Sequence, residues 1–326
     1  MQSLIITELE AGQRLDKFLT KYMDAAPKSF FYKMMRKKNI TLNGKKCEGN
    51  ERIAPGDEIK LFLSEETIKG FQTVYQENNQ TITNPELSVL YEDSNILVLN
   101  KPAGILSQKA EKNDISINEQ VISYLLNSNQ LSREQLKTFK PAVCNRLDRN
   151  TSGIVLAGKT LMGLQELSKA LHDRTIHKYY RCVVYGEIKE SMTVDGYLWK
   201  NPSNNQVTVH KEKAAFGNYA EEAKYIKTRY IPLVSTAEYT CLEVELITGR
   251  THQIRSHLAY LGHPILGDTK YGDVQINKLY RKKYGITHQL LHAYRIVFPK
   301  TEGILKPLSG KELTAPLPPA FTPFTS

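Results

Sequence analysis

The chain is organised around residues 145 to 159, NRLDRNTSGIVLAGK, where a single carboxylate lies between two guanidiniums and an apolar run follows at once. Positive charge on both neighbours, Arg146 and Arg149, favours an ionised Asp148. An ionised, positioned carboxylate is a nucleophile or a base. An ordinary Asp in such a loop more often pairs with an arginine or caps a turn, so the assignment needs support from elsewhere in the chain.

Two familiar patterns overlap this stretch, and both fail. Gly153 to Thr160 read GIVLAGKT, a formal P-loop match. A phosphate-cradling loop hangs from a buried strand and presents flexible backbone N–H groups. Here the intervening Ile-Val-Leu-Ala is itself strand-like, and the preceding CNRLDRNTS is too polar to be the supporting strand. The spacing Asp148-x-Asn150-x-Ser152-Gly153 opens like a calcium loop, but position twelve, which must be a bidentate Glu, is Lys159.

Length and charge set the frame. The 326 residues suffice for one large and one small domain, and 40% hydrophobic content provides a real core. No apolar run reaches the roughly 18 residues of a membrane span. The opening MQSLIITELEAGQRLDKF lacks the basic, apolar and cleavage regions of a secretion signal, so the expected location is the cytoplasm, with no membrane partner. Cys47, Cys144, Cys182 and Cys241 lie far apart without paired spacing, against both a disulfide framework and a zinc site. A formal net charge of +10 suits a polyanionic partner without naming it.

The first 64 residues read as a separate module. Leu15, Phe18, Leu19 and Tyr22 form one apolar stripe at helical spacing. After Pro27, Ser29 is the expected cap of a second helix, FFYKMMRKK, whose closing cations complement the helix dipole. ITLNGKK and DEIKLFL are strand-like, the first carrying an Asn-Gly hairpin turn. Residues 65–86 are polar, broken by Gly and Pro, and read as a linker. A larger domain, 87–326, then opens with a predicted hairpin, VLY and ILVLN around EDSN, ended by Lys101-Pro102-Ala103-Gly104.

Within the larger domain, Ser116 and Glu119 are spaced as a capping box, and Leu161, Leu164, Leu167 and Leu171 mark an amphipathic packing helix. HKYYRCVVYG reads as a strand ending at Gly186, and residues 201–222 as a loop with a short strand. Ile254, Leu258 and Leu261 mark the buried side of a helix that Gly262 ends, with His252 and Arg255 on a common face. The eight histidines hold no convincing metal site. His288 and His292 have zinc-helix spacing, but Gln289 replaces the needed Glu and HAYRIVFP reads as a strand.

Three strings in order, NRLDRNTSGIVLAGK, HKYYRCVVYG and TGRTHQIRSHLAYLGHPILGDTKYG, closely resemble the RluA-type family of pseudouridine synthases, over about Leu87 to Phe298. The family's catalytic string usually begins with His where this chain has Asn145. The first module resembles the α-L RNA-binding module of ribosomal small-subunit protein four. These resemblances imply an α+β chain: a small RNA-binding module, then a catalytic domain on a mixed, mainly antiparallel sheet flanked by helices. They imply an isomerase converting uridine to pseudouridine in RNA, most of all large-subunit ribosomal RNA, with no cofactor, metal or nucleotide.

By the same resemblance Asp148 is the catalytic carboxylate, Tyr180 the active-site tyrosine and Arg255 the basic partner of the Asp. Candidate RNA contacts are Arg146, Arg149, Lys178, Arg250, His252 and Gln253 beside the site, and Arg14, Arg36, Lys37, Lys38, Lys45 and Lys46 in the first module. The competing reading from another class is a non-catalytic RNA-binding assembly factor on the same fold.

Overall fold

Alternating apolar residues and capped apolar stripes sort this chain into strands and helices. The protein is described by a computed structural model covering residues 1–72, 87–111 and 114–325. In chain order the elements are β1 (Gln2–Ile5), α1 (Leu15–Tyr22), α2 (Lys28–Arg36), β2 (Ile40–Leu42), β3 (Lys45–Lys46), β4 (Glu58–Leu61) and α3 (Glu65–Gly70). Next come β5 (Ser88–Glu92), β6 (Ile96–Lys101), α4 (Ile117–Asn127), β7 (Ala142–Val143), β8 (Ser152–Gly158) and α5 (Leu161–His172). The rest are β9 (His177–Tyr185), β10 (Met192–Lys200), β11 (Val207–His210), β12 (Lys224–Ser235), β13 (Tyr239–Leu246), α6 (Gln253–Tyr260), α7 (Val274–Tyr284), β14 (Leu291–Val297) and β15 (Glu312–Thr314). Among the described residues no helix is long and apolar enough to cross a membrane.

The chain divides into two compact units. The first holds residues 1–98, 111–144 and 156–168; the second holds 99–110, 145–155 and 169–326. In the first, β1-β4-β2-β3 make a small antiparallel sheet, closed at its tip by Asn43 and Gly44, both at positive φ as the Asn-Gly hairpin requires. Leu15 and Leu19 of α1 are fully buried with Phe31 and Met35 of α2, each such side chain contributing roughly 1.5–3 kcal/mol of burial. The capping box of Ser116 and Glu119 starts α4 as expected. Lys159, which defeated the calcium loop and completed the P-loop pattern, is buried and donates to Glu92 at 2.7 Å. The run that a P-loop would need as a turn is the fully buried β8.

Three local expectations differ from the structure. Ser29 does not cap α2, which begins at Lys28 behind Pro27, where the extended proline already ends the preceding segment. The expected linker starts with a helix, α3, capped by Ser64 and held by Ile68 in the core of the first module. Residues 73–86 of that linker lie outside those described. β1 adds a strand without a sequence signal, at the edge of the sheet on β4, with alternating exposure along it.

In the second unit the strand order is β11-β10-β12-β13-β9-β14, all antiparallel, with β15 added on β14. Ser152 and Gly153, the first residues of β8, pair in parallel with His292 and Ala293, which makes the sheet mixed. Gly153 has φ +109°, and a Cβ there would lie 2.2 Å from the Ala293 carbonyl oxygen, so only glycine allows this approach. Register neighbours Tyr230, Val244 and Tyr180 share one face of the sheet. α6 covers that face: Gln253 donates to Thr228 at 2.9 Å, and His257 meets the Tyr230 hydroxyl at 3.1 Å.

Candidate active site

The loop that carries Asp148 precedes β8 and is braced from a neighbouring segment. Lys101, at the end of β6, is fully buried and donates to the carbonyl oxygens of Pro102, Ile105 and Arg149 at 2.9, 2.7 and 3.0 Å. Three protons on three carbonyls satisfy the ammonium without a counter-ion. Gly104 N–H also donates to the Arg149 carbonyl, at 2.9 Å. Ser107 Oγ donates to the Leu147 carbonyl and accepts from the Leu147 N–H, both at 2.9 Å. The residues on either side of Asp148 are therefore pinned while its carboxylate stays partly exposed, at 27%. Burial brings the Lys101 ammonium down to about 8, against an opposing pull from the Asp148 charge.

Asp148 is met by residues from α6 and its approach. Arg255 Nη1 donates to Asp148 Oδ2 at 2.7 Å. The same guanidinium donates Nε and Nη2 to Asp268 at 2.7 and 2.9 Å, a two-pronged pair with a fully buried carboxylate. Asp268 also accepts from the N–H groups of Lys270 and Tyr271, at 2.9 and 3.1 Å. Burial alone would raise the Asp268 carboxyl, but these donors outweigh it and hold it below the usual carboxylate range. His252 sits at positive φ just ahead of α6, with Nε2 3.7 Å from Asp148 Oδ1 and Nδ1 2.8 Å from the Tyr271 hydroxyl.

Tyr180, on β9, is buried beside a small crevice of about 10 Å³ that Asn145, Ile154 and Lys178 also line. Burial, with the Asp148 charge added, pushes its hydroxyl well above the usual tyrosine range, so it stays protonated. Lys178 lies on the same face of β9 and is lowered by burial and by Arg174.

The structure thus brings Asp148 and Arg255 together, as expected. The charge that reaches Asp148 is Arg255's, whereas Arg146 and Arg149 are exposed. Arg250, in the turn before α6, is exposed as well. Gln253 is a correction. It is 2% exposed, and its side chain bonds Thr248, Thr228, the Lys227 carbonyl and the Arg250 N–H, so it holds the start of α6 rather than facing RNA. Its place in the first helical turn, facing the sheet, overrides its polarity.

Sequence reading passed over Asp268, Tyr271, Lys101 and Ser107. Signals for two of them exist in hindsight. Asp268 directly follows Pro-Ile-Leu-Gly, where a charge after an apolar run is carried into the interior, and Gly267 cannot bear a Cβ because it would lie 2.3 Å from the His288 carbonyl. Lys101 ends the apolar strand ILVLN.

Among the described residues there is no group of three or more His, Cys, Asp or Glu able to hold a metal ion. His292 is buried in β14, its Nδ1 2.8 Å from Ser152 Oγ, so it pins β8 to β14.

Comparison with known proteins settles the lineage. The family described as RNA pseudouridylate synthase matches residues 95–260. An RNA pseudouridine synthase of Mycoplasma genitalium, itself uncharacterised, is 31% identical, over 91% of this chain and 89% of its own length. The chain belongs to the RNA pseudouridylate synthase family. It is an RluA-type RNA pseudouridine synthase, an isomerase. Ribosomal large subunit pseudouridine synthase C of Vibrio cholerae is 32% identical to this synthase, over 97% of this chain and 93% of that relative. Among solved structures, human RNA pseudouridylate synthase domain containing 4 shares the fold, with a TM-score of 0.55 and 23% identity over 72% of this chain and 90% of its own.

Proposed function

We propose that this synthase isomerises uridines in large-subunit ribosomal RNA, in the cytoplasm, with Asp148 as the catalytic carboxylate. The single observation behind the site is the 2.7 Å ion pair between Arg255 and Asp148, whose charge also acts on Tyr180. The ribosomal substrate is supported by relatives whose names specify the large ribosomal subunit.

The reaction breaks the bond from the sugar carbon C1′ to ring nitrogen N1, turns the base, and joins C1′ to ring carbon C5. C5 loses its proton and N1 gains one, so atoms balance with no redox partner. Asp148 serves as nucleophile or base through Oδ1, the oxygen that Arg255 leaves free, while Arg255 aims the carboxylate. Tyr180, protonated, supports the detached base with its ring and offers its hydroxyl as a hydrogen-bond donor. The target base leaves its stack to reach the site, at a cost of a few kcal/mol in a duplex and less in a loop.

Arg146, Arg149, Lys178 and Arg250 hold the phosphates around the extruded nucleotide. Residues 1–64 act as an RNA-binding module through Arg14, Arg36, Lys37, Lys38, Lys45 and Lys46, all of them exposed. Of these Arg14 is also paired with Asp16 at 3.0 Å.

The test is tritium release to water from ribosomal RNA transcribed with uridine tritiated at C5. The parent protein should release tritium and Asp148→Asn should release none. Release that persists in Asp148→Asn ends the assignment of Asp148.

A further inference from the structure

Asp148 has two oxygens, and Arg255 takes only Oδ2. The other, Oδ1, faces His252 Nε2 at 3.7 Å, a separation that closes to a hydrogen bond with a small movement of either side chain. What His252 offers that oxygen depends on which ring nitrogen carries the proton. The neighbours of Tyr271 favour one answer. The Val207 N–H donates to the Tyr271 hydroxyl oxygen at 3.1 Å, filling one of its two acceptor sites and leaving the hydroxyl hydrogen to be donated. His252 Nδ1 is 2.8 Å away. An Nδ1 that accepts leaves the proton of the neutral ring on Nε2, facing Asp148.

We propose that His252 is a positioning residue for the reaction: Val207 and Tyr271 fix it as the Nε2–H tautomer, which aims Asp148 Oδ1 at the substrate. This rests on the reading of Asp148 as the catalytic carboxylate. It moves His252 from an RNA contact to a support of the carboxylate. The ring's setting is consistent with that role. Its side chain is only 15% exposed, and its ring stands edge-on to Tyr271 at 5.6 Å between centroids. The charged groups around it are Asp148 from the loop before β8, Arg255 from α6, and Asp268 and Lys270 from the turn after α6. Burial lowers the imidazole from its ordinary value, opposed by Asp148, so the neutral ring is the working form. The left-handed backbone at His252, φ 54°, costs free energy for a non-glycine residue.

The test joins a spectrum to kinetics. In protein labelled with nitrogen-15 at histidine, the His252 signal, identified by its loss in His252→Leu, should show the neutral Nε2–H tautomer. Tyr271→Phe, which keeps the ring but removes the hydroxyl, should give a tautomer mixture and a higher His252 titration midpoint. The same variant should lose about tenfold in kcat, the scale of one hydrogen bond, with KM for RNA unchanged. His252→Gln places an amide N–H near Nε2 and should keep most of kcat, whereas His252→Leu should lose it. An Nδ1–H tautomer in the parent protein overturns the proposal. So do equal losses in the Gln and Leu variants, or a defect confined to KM. If Asp148→Asn is inactive while His252→Leu keeps full kcat, this inference alone fails. If Asp148→Asn remains active, the reading beneath it fails first.

Discussion

Arg255 reaches Asp148 across 107 positions of sequence because Asp268 holds the other edge of the same guanidinium. Nε and Nη2 are committed to the fully buried Asp268, so Nη1 is the nitrogen left to meet Asp148. The partly exposed pair that faces substrate is thus oriented by a buried pair that does not.

Asp268→Asn should therefore cost both stability and turnover. Removing one partner of a buried ion pair typically costs about 3–5 kcal/mol, and the bond that Arg255 keeps to Asp148 puts the expected loss at the low end of that range. Denaturant unfolding should report that loss, and tritium release should show kcat down by 10-fold or more with KM little changed, on the order of one or two hydrogen bonds. The penalty should depend on pH. Asp268 is held below its ordinary 3.8 in the folded chain, so its contribution is complete above that value and fades as pH falls through the folded one. The stability gap between parent and Asp268→Asn should narrow as pH falls below 3.8. A gap that stays constant as pH falls below 3.8 would contradict the depressed carboxyl.

Lys101 carries the opposite sign. Its ammonium is lowered from 10.5 to about 8 on folding, so between those values the unfolded chain binds more protons and stability rises with pH. The difference between the parent and Lys101→Met should grow in the parent's favour by about 3 kcal/mol from pH 8 to pH 10.5. Activity should move the other way. A neutral amine has two hydrogens for three carbonyls, so the Asp148 loop loosens and kcat should fall above about pH 8. Urea unfolding and tritium release across pH check both halves.

Gly153→Ala should lower the melting temperature and kcat together. The new methyl would meet the Ala293 carbonyl at 2.2 Å at a backbone angle of +109°, so β8 must move away from β14. The expected cost is about 2–4 kcal/mol, the sum of strain and overpacking. Calorimetry measures it; an unchanged melting temperature would show that the strands separate freely.

If Arg36, Lys37 and Lys38 contact phosphates, replacing all three by Ala should flatten the salt dependence of RNA binding. Each lost contact removes roughly 0.7–0.9 from the slope of log K against log salt, so about 2–3 in all. With saturating RNA kcat should hold. A slope unchanged by the triple substitution would take these cations out of the interface.

Most of the elements were legible because their signals are local. The continuous apolar run of GIVLA, the stripe of Leu161 to Leu171, the capping box at Ser116 and the Asn-Gly turn each depend on neighbours a few residues away. The proposed roles of Asp148 and Tyr180 likewise rest on short motifs. Gln253, a candidate RNA contact by sequence, is turned onto the sheet by the helix phase.

What the chain order alone left undecided was partnership. Arg146 and Arg149 adjoin Asp148 in sequence, yet both point to solvent, and the charge that reaches the carboxylate comes from α6. Asp268, Lys101 and Tyr271 acquire their roles only when strands and helix close on one another. A hydrogen bond reads distance and angle in space, which residue order does not encode; local pattern names the side chains with chemistry, and packing chooses which of them meet.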